Sequence, residues 1–229
     1  MSKSLFLVLL CFPLLQFSQT VNDANAIDTH YLEDQFYVGL NYNFMLNKPN
    51  DVVHRNFSYG LQAGYIRDIP LNVQRNFGIG IGIGYEVNSY YTNLISTSAS
   101  GVIAYTVASS DFEYDKSKFE IHSIDLPIEL RWRTSTPTDY KFLRLYSGIK
   151  LAYNFSSKSK LITNDGRTGF ANSDIEKFQY GLTFNFGYNT FNLHVYYSLS
   201  DFLKKDAVLD TGESIEMKPL RIGLIFYML

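Results

Sequence analysis

The sequence predicts an all-β fold, an eight-stranded antiparallel up-and-down transmembrane β-barrel, and three observations carry that prediction. Segments across residues 35–228 alternate large apolar side chains with small or polar ones, the period of two that belongs to strands. After the N-terminus there is no run of roughly eighteen apolar residues, so a membrane could be crossed only by strands closed into a barrel. The connections alternate short and long, as in outer-membrane barrels with short periplasmic turns and longer external loops.

Composition agrees with this class. Across 229 residues, 20 basic against 22 acidic side chains leave no electrostatic case for a nucleic-acid partner. With 18 Tyr, 18 Phe and 15 Gly at 18% charge, the chain is richer in β-formers and poorer in charge than soluble domains, where charge is about 25%. Lys3, the apolar run 5–15 and the polar stretch 16–20 read as a secretory signal peptide over residues 1–20, its end falling between 18 and 26. Residues 21–229 then form one barrel domain. The single cysteine, Cys11, lies inside the signal, which leaves the mature chain without disulfides or thiolate metal sites. No cofactor or metal is expected.

The first strand is expected over 35–46, with Phe36, Val38, Leu40, Tyr42, Phe44 and Leu46 on one face and Gln35, Tyr37, Gly39, Asn41 and Asn43 on the other. A polar loop, 47–56, leads to the second strand, 57–67, and a short link holding Asp68, Pro70 and Asn72 follows. The third strand, 77–92, sets Phe77, Ile79, Ile81, Ile83, Tyr85 and Val87 against Gly78, Gly80, Gly82 and Gly84. A dinucleotide-binding G-x-G-x-x-G loop is excluded because Ile83 stands where the third glycine should be. Four glycines on one strand face imply a crowded face, as in the interior of a small closed barrel.

A Ser/Thr-rich segment, 93–118, follows, with a further hairpin possible around 102–108. The fourth strand, 119–133, changes apolar parity between Ile121 and Ile124, which suggests a β-bulge near His122 and Ser123. The fifth strand spans 142–155 after a link through Pro137, and a long polar loop covers 156–177. The sixth strand, 178–188, turns tightly at Asn189 and Thr190 into the seventh, 191–199; loop 200–217 precedes the eighth, 220–228. Apolar aromatics fall near the strand ends, as two interfacial girdles would.

Periodicity does not say which face points inward, and a secreted lipocalin-type barrel is the soluble rival. Volume separates the two, because the apolar faces carry far more bulky side chains than an eight-stranded interior can hold. Turned outward they require lipid.

The C-terminal stretch, with Arg221, Gly223, Phe226 and Met228, resembles the assembly signal of bacterial outer-membrane proteins, although it ends in Leu229 rather than Phe. Ser123-Ile124-Asp125-Leu126-Pro127-Ile128-Glu129-Leu130-Arg131-Trp132 resembles a Pro-interrupted strand of the PorT-like outer-membrane β-barrel family, often called porin-family proteins. Leu145-Tyr146-Ser147-Gly148 and Asn185-Phe186-Gly187-Tyr188 fit later strands of that family. The resemblance implies a Gram-negative cell envelope, insertion by the outer-membrane assembly machinery and, for some members, a link to protein secretion; fold alone does not assign a role.

The inward face is expected to carry a charge network of Glu86, Asp125, Glu129, Arg131, Arg144, Lys150 and Arg221, paired across the lumen because an unpaired buried charge costs several kcal/mol. The local arrangement closest to a catalytic site is Glu120, His122 and Ser123, whose neighbours on a regular strand point to opposite faces. The sequence therefore reads as a non-enzymatic outer-membrane barrel, lipid around it, both termini periplasmic, with external loops available to a protein partner. A narrow porin is the alternative and a lipid-modifying outer-membrane hydrolase the second alternative.

Overall fold

The computed structural model describes residues 34–109, 112–134, 142–188 and 191–228. The predicted signal peptide, the link at Pro137 and the turn at Asn189 and Thr190 lie outside these residues. Eight strands make the barrel wall: β1 (Asp34–Leu46), β2 (Tyr59–Pro70), β3 (Phe77–Tyr91), β6 (Lys116–Arg133), β7 (Leu143–Thr163), β9 (Phe178–Tyr188), β10 (Phe191–Ser198) and β11 (Lys218–Met228). A hairpin, β4 (Leu94–Ala99) and β5 (Val102–Val107), fills the connection from β3 to β6; β8 (Gly166–Ala171) folds back on β7. All neighbours are antiparallel, β6 pairs with β7, and β1 pairs with β11, so the sheet closes on itself.

The apolar stripes face outward. Phe36, Phe178 and Phe191 are 60, 72 and 66% exposed, whereas Asn41, Glu86, Arg131 and Asn185 on the opposite faces are buried. The soluble reading, which would put those stripes inside, is excluded. Aromatics gather in two rows: Phe36 on Tyr65 (ring centroids 5.4 Å apart) and Phe191 on Phe226 (6.1 Å) at the turn end, Tyr42 on Phe57 (5.0 Å), Tyr85 on Phe155 (6.2 Å) and Tyr153 on Phe178 (5.0 Å) at the loop end. Between them runs the apolar band that lipid covers.

Ile149 lies on β7 midway between Leu145 and Tyr153, opposite Ile128 and Leu182 on the flanking strands. Ile149→Arg therefore places a guanidinium near the bilayer midplane. It should lower stability by about 2–4 kcal/mol in folding titrations in lipid vesicles. Unchanged stability would mean that this face does not meet lipid.

Three details differ from the sequence expectation. The predicted polar loop 156–177 begins as strand, because β7 continues to Thr163 and returns as β8. The link after the second strand is strand as well: β2 runs to Pro70 and turns Asp68 inward, where it is 2% exposed. The register shift does fall between His122 and Ser123, but the extra residue is on the partner strand, since Ser123 faces Asn154 and His122 faces Ser156, leaving Phe155 unpaired.

Alternation of burial along β6 is unbroken. What changes past His122 is the surroundings: Phe119 and Ile121 point inward into an apolar cap, whereas Ser123 and Asp125 point inward into the polar lumen. Pro127, inward on the same strand, has no N–H, and the pairing of β3 with β6 passes directly from Ile81↔Ile128 to Gly84↔Asp125.

Candidate functional site

The glycine face of β3 provides the room for what fills the lumen. A Cβ at Gly80 would lie 2.6 Å from Arg131 Nε, one at Gly78 would lie 2.6 Å from Asp68 Oδ1, and one at Gly84 would overlap the Tyr37 hydroxyl. Bulky interior groups from other strands thus pack against bare β3 backbone.

Those groups form two layers of ion pairs. Toward the turn end, Arg131 donates from Nε to Glu129 Oε2 (3.0 Å) and from Nη1 to Gln35 Oε1 (3.1 Å) and Asp68 Oδ2 (3.5 Å). Its guanidinium lies over the rings of Tyr146 and Tyr227, 4.5 and 5.1 Å from their centroids. Arg133 also pairs with Asp68. Asn185 donates to Glu129 Oε1 (3.1 Å), and its own Oδ1 is 2.6 Å from His194 Nδ1.

Toward the loop end, Glu86 receives both Lys150 and Arg221. Arg221 Nε donates to the Tyr90 hydroxyl (3.0 Å), and both cations stand over the Tyr196 ring, at 4.8 and 4.5 Å. Asp125 lies apart from these pairs and accepts from the Tyr37 hydroxyl at 3.4 Å.

Of the residues expected on the inward face, the fold brings Glu129 to Arg131 and brings Glu86 to both Lys150 and Arg221. Arg144 is half-buried at the turn end, donating to Asn192 Oδ1 at 3.5 Å with its guanidinium 4.4 Å from the Phe142 ring. Asp68, Arg133 and the four tyrosines Tyr90, Tyr146, Tyr196 and Tyr227 also belong to the filling. Among the described residues, four fully buried carboxylates (Asp68, Glu86, Asp125, Glu129) are matched by four fully buried cations (Arg131, Arg133, Lys150, Arg221). A cavity lined by Tyr37, Asp125, Lys150, His194 and Tyr227 measures about 10 Å³, room for one water and no solute.

The long loops close the loop-end mouth. Met45, Val52, Tyr90, Leu94, Tyr105, Phe119, Ile175, Phe202, Leu203, Leu209, Ile215 and Met217 pack into one buried cluster. Phe202, fully buried, touches Tyr90 (5.2 Å) and Phe119 (5.5 Å) edge-on. Tyr105 reaches across to Asn172 (3.1 Å) and Asp174 (3.2 Å), and its burial pushes the phenol pKa up. Loops read from the sequence as polar thus contribute to a second core beyond the lumen, and the signal for it was the placing of apolar residues such as Ile175, Phe202 and Leu209 inside otherwise polar connections.

Glu120, His122 and Ser123 do not converge. Ser123 faces the lumen and is buried, whereas His122 points outward with Nδ1 2.7 Å from the Tyr85 hydroxyl and Nε2 3.7 Å from Glu120. In the assembly stretch, Arg221 and Gly223 point inward and Phe226 and Met228 outward. A Cβ at Gly223 would strike the backbone of Leu40 and Asn41, so glycine is what lets β1 lie against β11.

A closed eight-stranded barrel with an apolar belt, a salt-bridged interior and a capped mouth defines a small integral membrane β-barrel protein. The chain belongs to the family described as "Outer membrane protein beta-barrel domain", whose model matches residues 17–204. No curated protein matches it. Among solved structures it is similar to Ail, the attachment invasion locus protein of Yersinia pestis, in complex with the heparin analogue sucrose octasulfate: 13% identity, TM-score 0.41, covering 86% of this chain and 100% of that one. A second structure of the same protein gives 10% identity and a TM-score of 0.34, covering 86% and 98%.

Proposed function

We propose that the protein is a closed, non-enzymatic outer-membrane barrel that holds a folded cap at the cell surface as an interaction platform. The filled lumen is the observation that carries this reading. Eight strands leave an interior that side chains can fill, and here paired charges and tyrosines occupy it, with a cavity of about 10 Å³ among Tyr37, Asp125, Lys150, His194 and Tyr227. In this reading the signal peptide is removed on export, the assembly machinery inserts the barrel, and both termini and the short turns are periplasmic. The cap then faces outward, where a protein partner can meet it. The PorT-like resemblance fits an accessory role in secretion or envelope maintenance.

In planar bilayers the purified protein should give no steady current, only rare, small openings. Large, sustained single-channel currents from the unmodified protein would instead make it a narrow porin.

A further inference from the structure

The outward stripe of β6 that meets lipid as Ile124, Leu126, Ile128, Leu130 and Trp132 continues beyond the aromatic row as His122, Glu120, Lys118 and Lys116. Neighbouring strands add to this face. Lys118 stands opposite Lys160 and Tyr91, Glu120 opposite Lys158, and Lys116 opposite Ile162, which is itself opposite Arg167 on β8. Tyr91, Lys116, Lys118, Lys160, Ile162 and Arg167 line a depression of about 230 Å³.

Its charge is strongly one-sided. Glu120 pairs with Lys118 and Lys160, 2.7 Å from each; burial opposes its ionisation, but these two hydrogen bonds outweigh it and hold the carboxyl at about 2. Among the described residues no carboxylate pairs with Lys116, Lys158 or Arg167. Glu120 already stands between Lys118 and Lys160, but the depression sets four cations (Lys116, Lys118, Lys160 and Arg167) around that one carboxylate, and the net positive charge left over suits a further anion.

Toward the apolar band, on the lipid-facing side of β6, β7 and β9, Ile124, Leu126, Leu151, Tyr153, Phe178 and Tyr180 line an apolar groove of about 290 Å³. Lys118 is six residues from Ile124, roughly 20 Å along the strand and less in height because barrel strands tilt. One molecule could span both features only if it carried phosphate above and an acyl chain below.

We infer that this face binds a phosphorylated lipid of the outer leaflet, its phosphates on Lys116, Lys118, Lys160 and Arg167 and one acyl chain in the groove. The inference rests on the orientation proposed above, with the loop end outside the cell. The groove favours a lipid over a soluble anion, because a soluble anion has no use for an apolar slot sunk in the bilayer.

The test uses the full-length protein in detergent micelles, with bis-phosphorylated lipid A or its dephosphorylated form, read by native mass spectrometry. The phosphorylated lipid should be retained about tenfold better or more, and the double variant Lys118→Gln/Lys160→Gln should lose that advantage, since lysines near a membrane surface attract anionic headgroups. Leu151→Trp, which fills the groove, should weaken retention of both forms. Faster migration of the unheated barrel on gels confirms that each variant is folded. Equal retention of the two lipids, or displacement of lipid A by inorganic phosphate or a sulfated polysaccharide at matched concentration, would overturn the proposal.

A membrane-impermeant amine reagent added to intact cells tests the orientation separately, and should label Lys116 and Lys160. Labelling only after lysis would overturn the orientation, and with it the outer leaflet as the source of the lipid. Labelling in intact cells with no retention of lipid A would overturn the binding proposal alone.

Discussion

Glu86→Ala should cost the barrel about 3–5 kcal/mol, the usual penalty for removing one member of a buried ion pair. The glutamate is 1% exposed and is the shared partner of Lys150 and Arg221. Without it, two cations remain side by side in a lumen that has no room for bulk water to solvate them. Asn88, which donates to Glu86 Oε2 at 3.2 Å, loses its acceptor as well. Urea titrations of folding into lipid vesicles would read the loss. A triple variant, Glu86→Leu with Lys150→Met and Arg221→Met, removes all three charges at similar volume and should regain most of the stability, because apolar replacements of a whole buried pair are commonly neutral. Stability unchanged in the single variant would mean that the two cations have other compensation and that the network is not what holds this layer.

Phe202→Ala should loosen the cap by about 3–5 kcal/mol, the range for truncating a buried phenylalanine. Its ring sits between Tyr90 on β3 and Phe119 on β6, and its backbone N–H donates to Met217 O (2.7 Å), so it ties the last long loop to two barrel strands. Hydrogen exchange at Leu209 and Ile215 should accelerate, and added protease should cut within 200–217. The barrel below should keep its folded gel mobility, because Phe202 touches the lumen layer only through Tyr90 and none of the ion pairs is removed. Loss of the barrel together with the cap would show that the two cores fold as one unit.

The strand faces were legible in the sequence because lipid on one side and a crowded polar lumen on the other impose the sharpest period-two contrast a strand can carry. The glycines of β3 were legible for the same reason: four small residues on one face mark crowding before its cause is known. The partners across the lumen were not legible. Glu86 and Lys150 are 64 positions apart, and which inward residues meet depends on the stagger of the strands around the barrel, which local pattern does not encode. Asp68 was hidden because Asp-Ile-Pro reads as a turn, while the structure carries β2 through it to Pro70. At His122 the parity signal pointed to the right place for the wrong reason. The same face of β6 is polar where it borders the lumen and apolar where it borders the cap, so a change of surroundings imitated a change of register on that strand.

The closure of β1 on β11, from Phe36↔Met228 to Leu46↔Lys218, also sets an order of events during biogenesis. Every other wall pairing joins consecutive wall strands, with only the β4–β5 hairpin between β3 and β6 and β8 between β7 and β9, and each can zip once its second strand is delivered. The seam, which joins the first strand to the last, must wait until all the others are in place. Until then the growing sheet has two raw edges, each offering unpaired N–H and C=O groups to any other nascent chain. Loss of β11 would therefore do more than shorten the wall: it would leave a curled sheet with sticky margins, a substrate for aggregation or envelope proteolysis. The time spent in that open form, more than the strength of the finished wall, would then limit how much of the protein reaches the membrane.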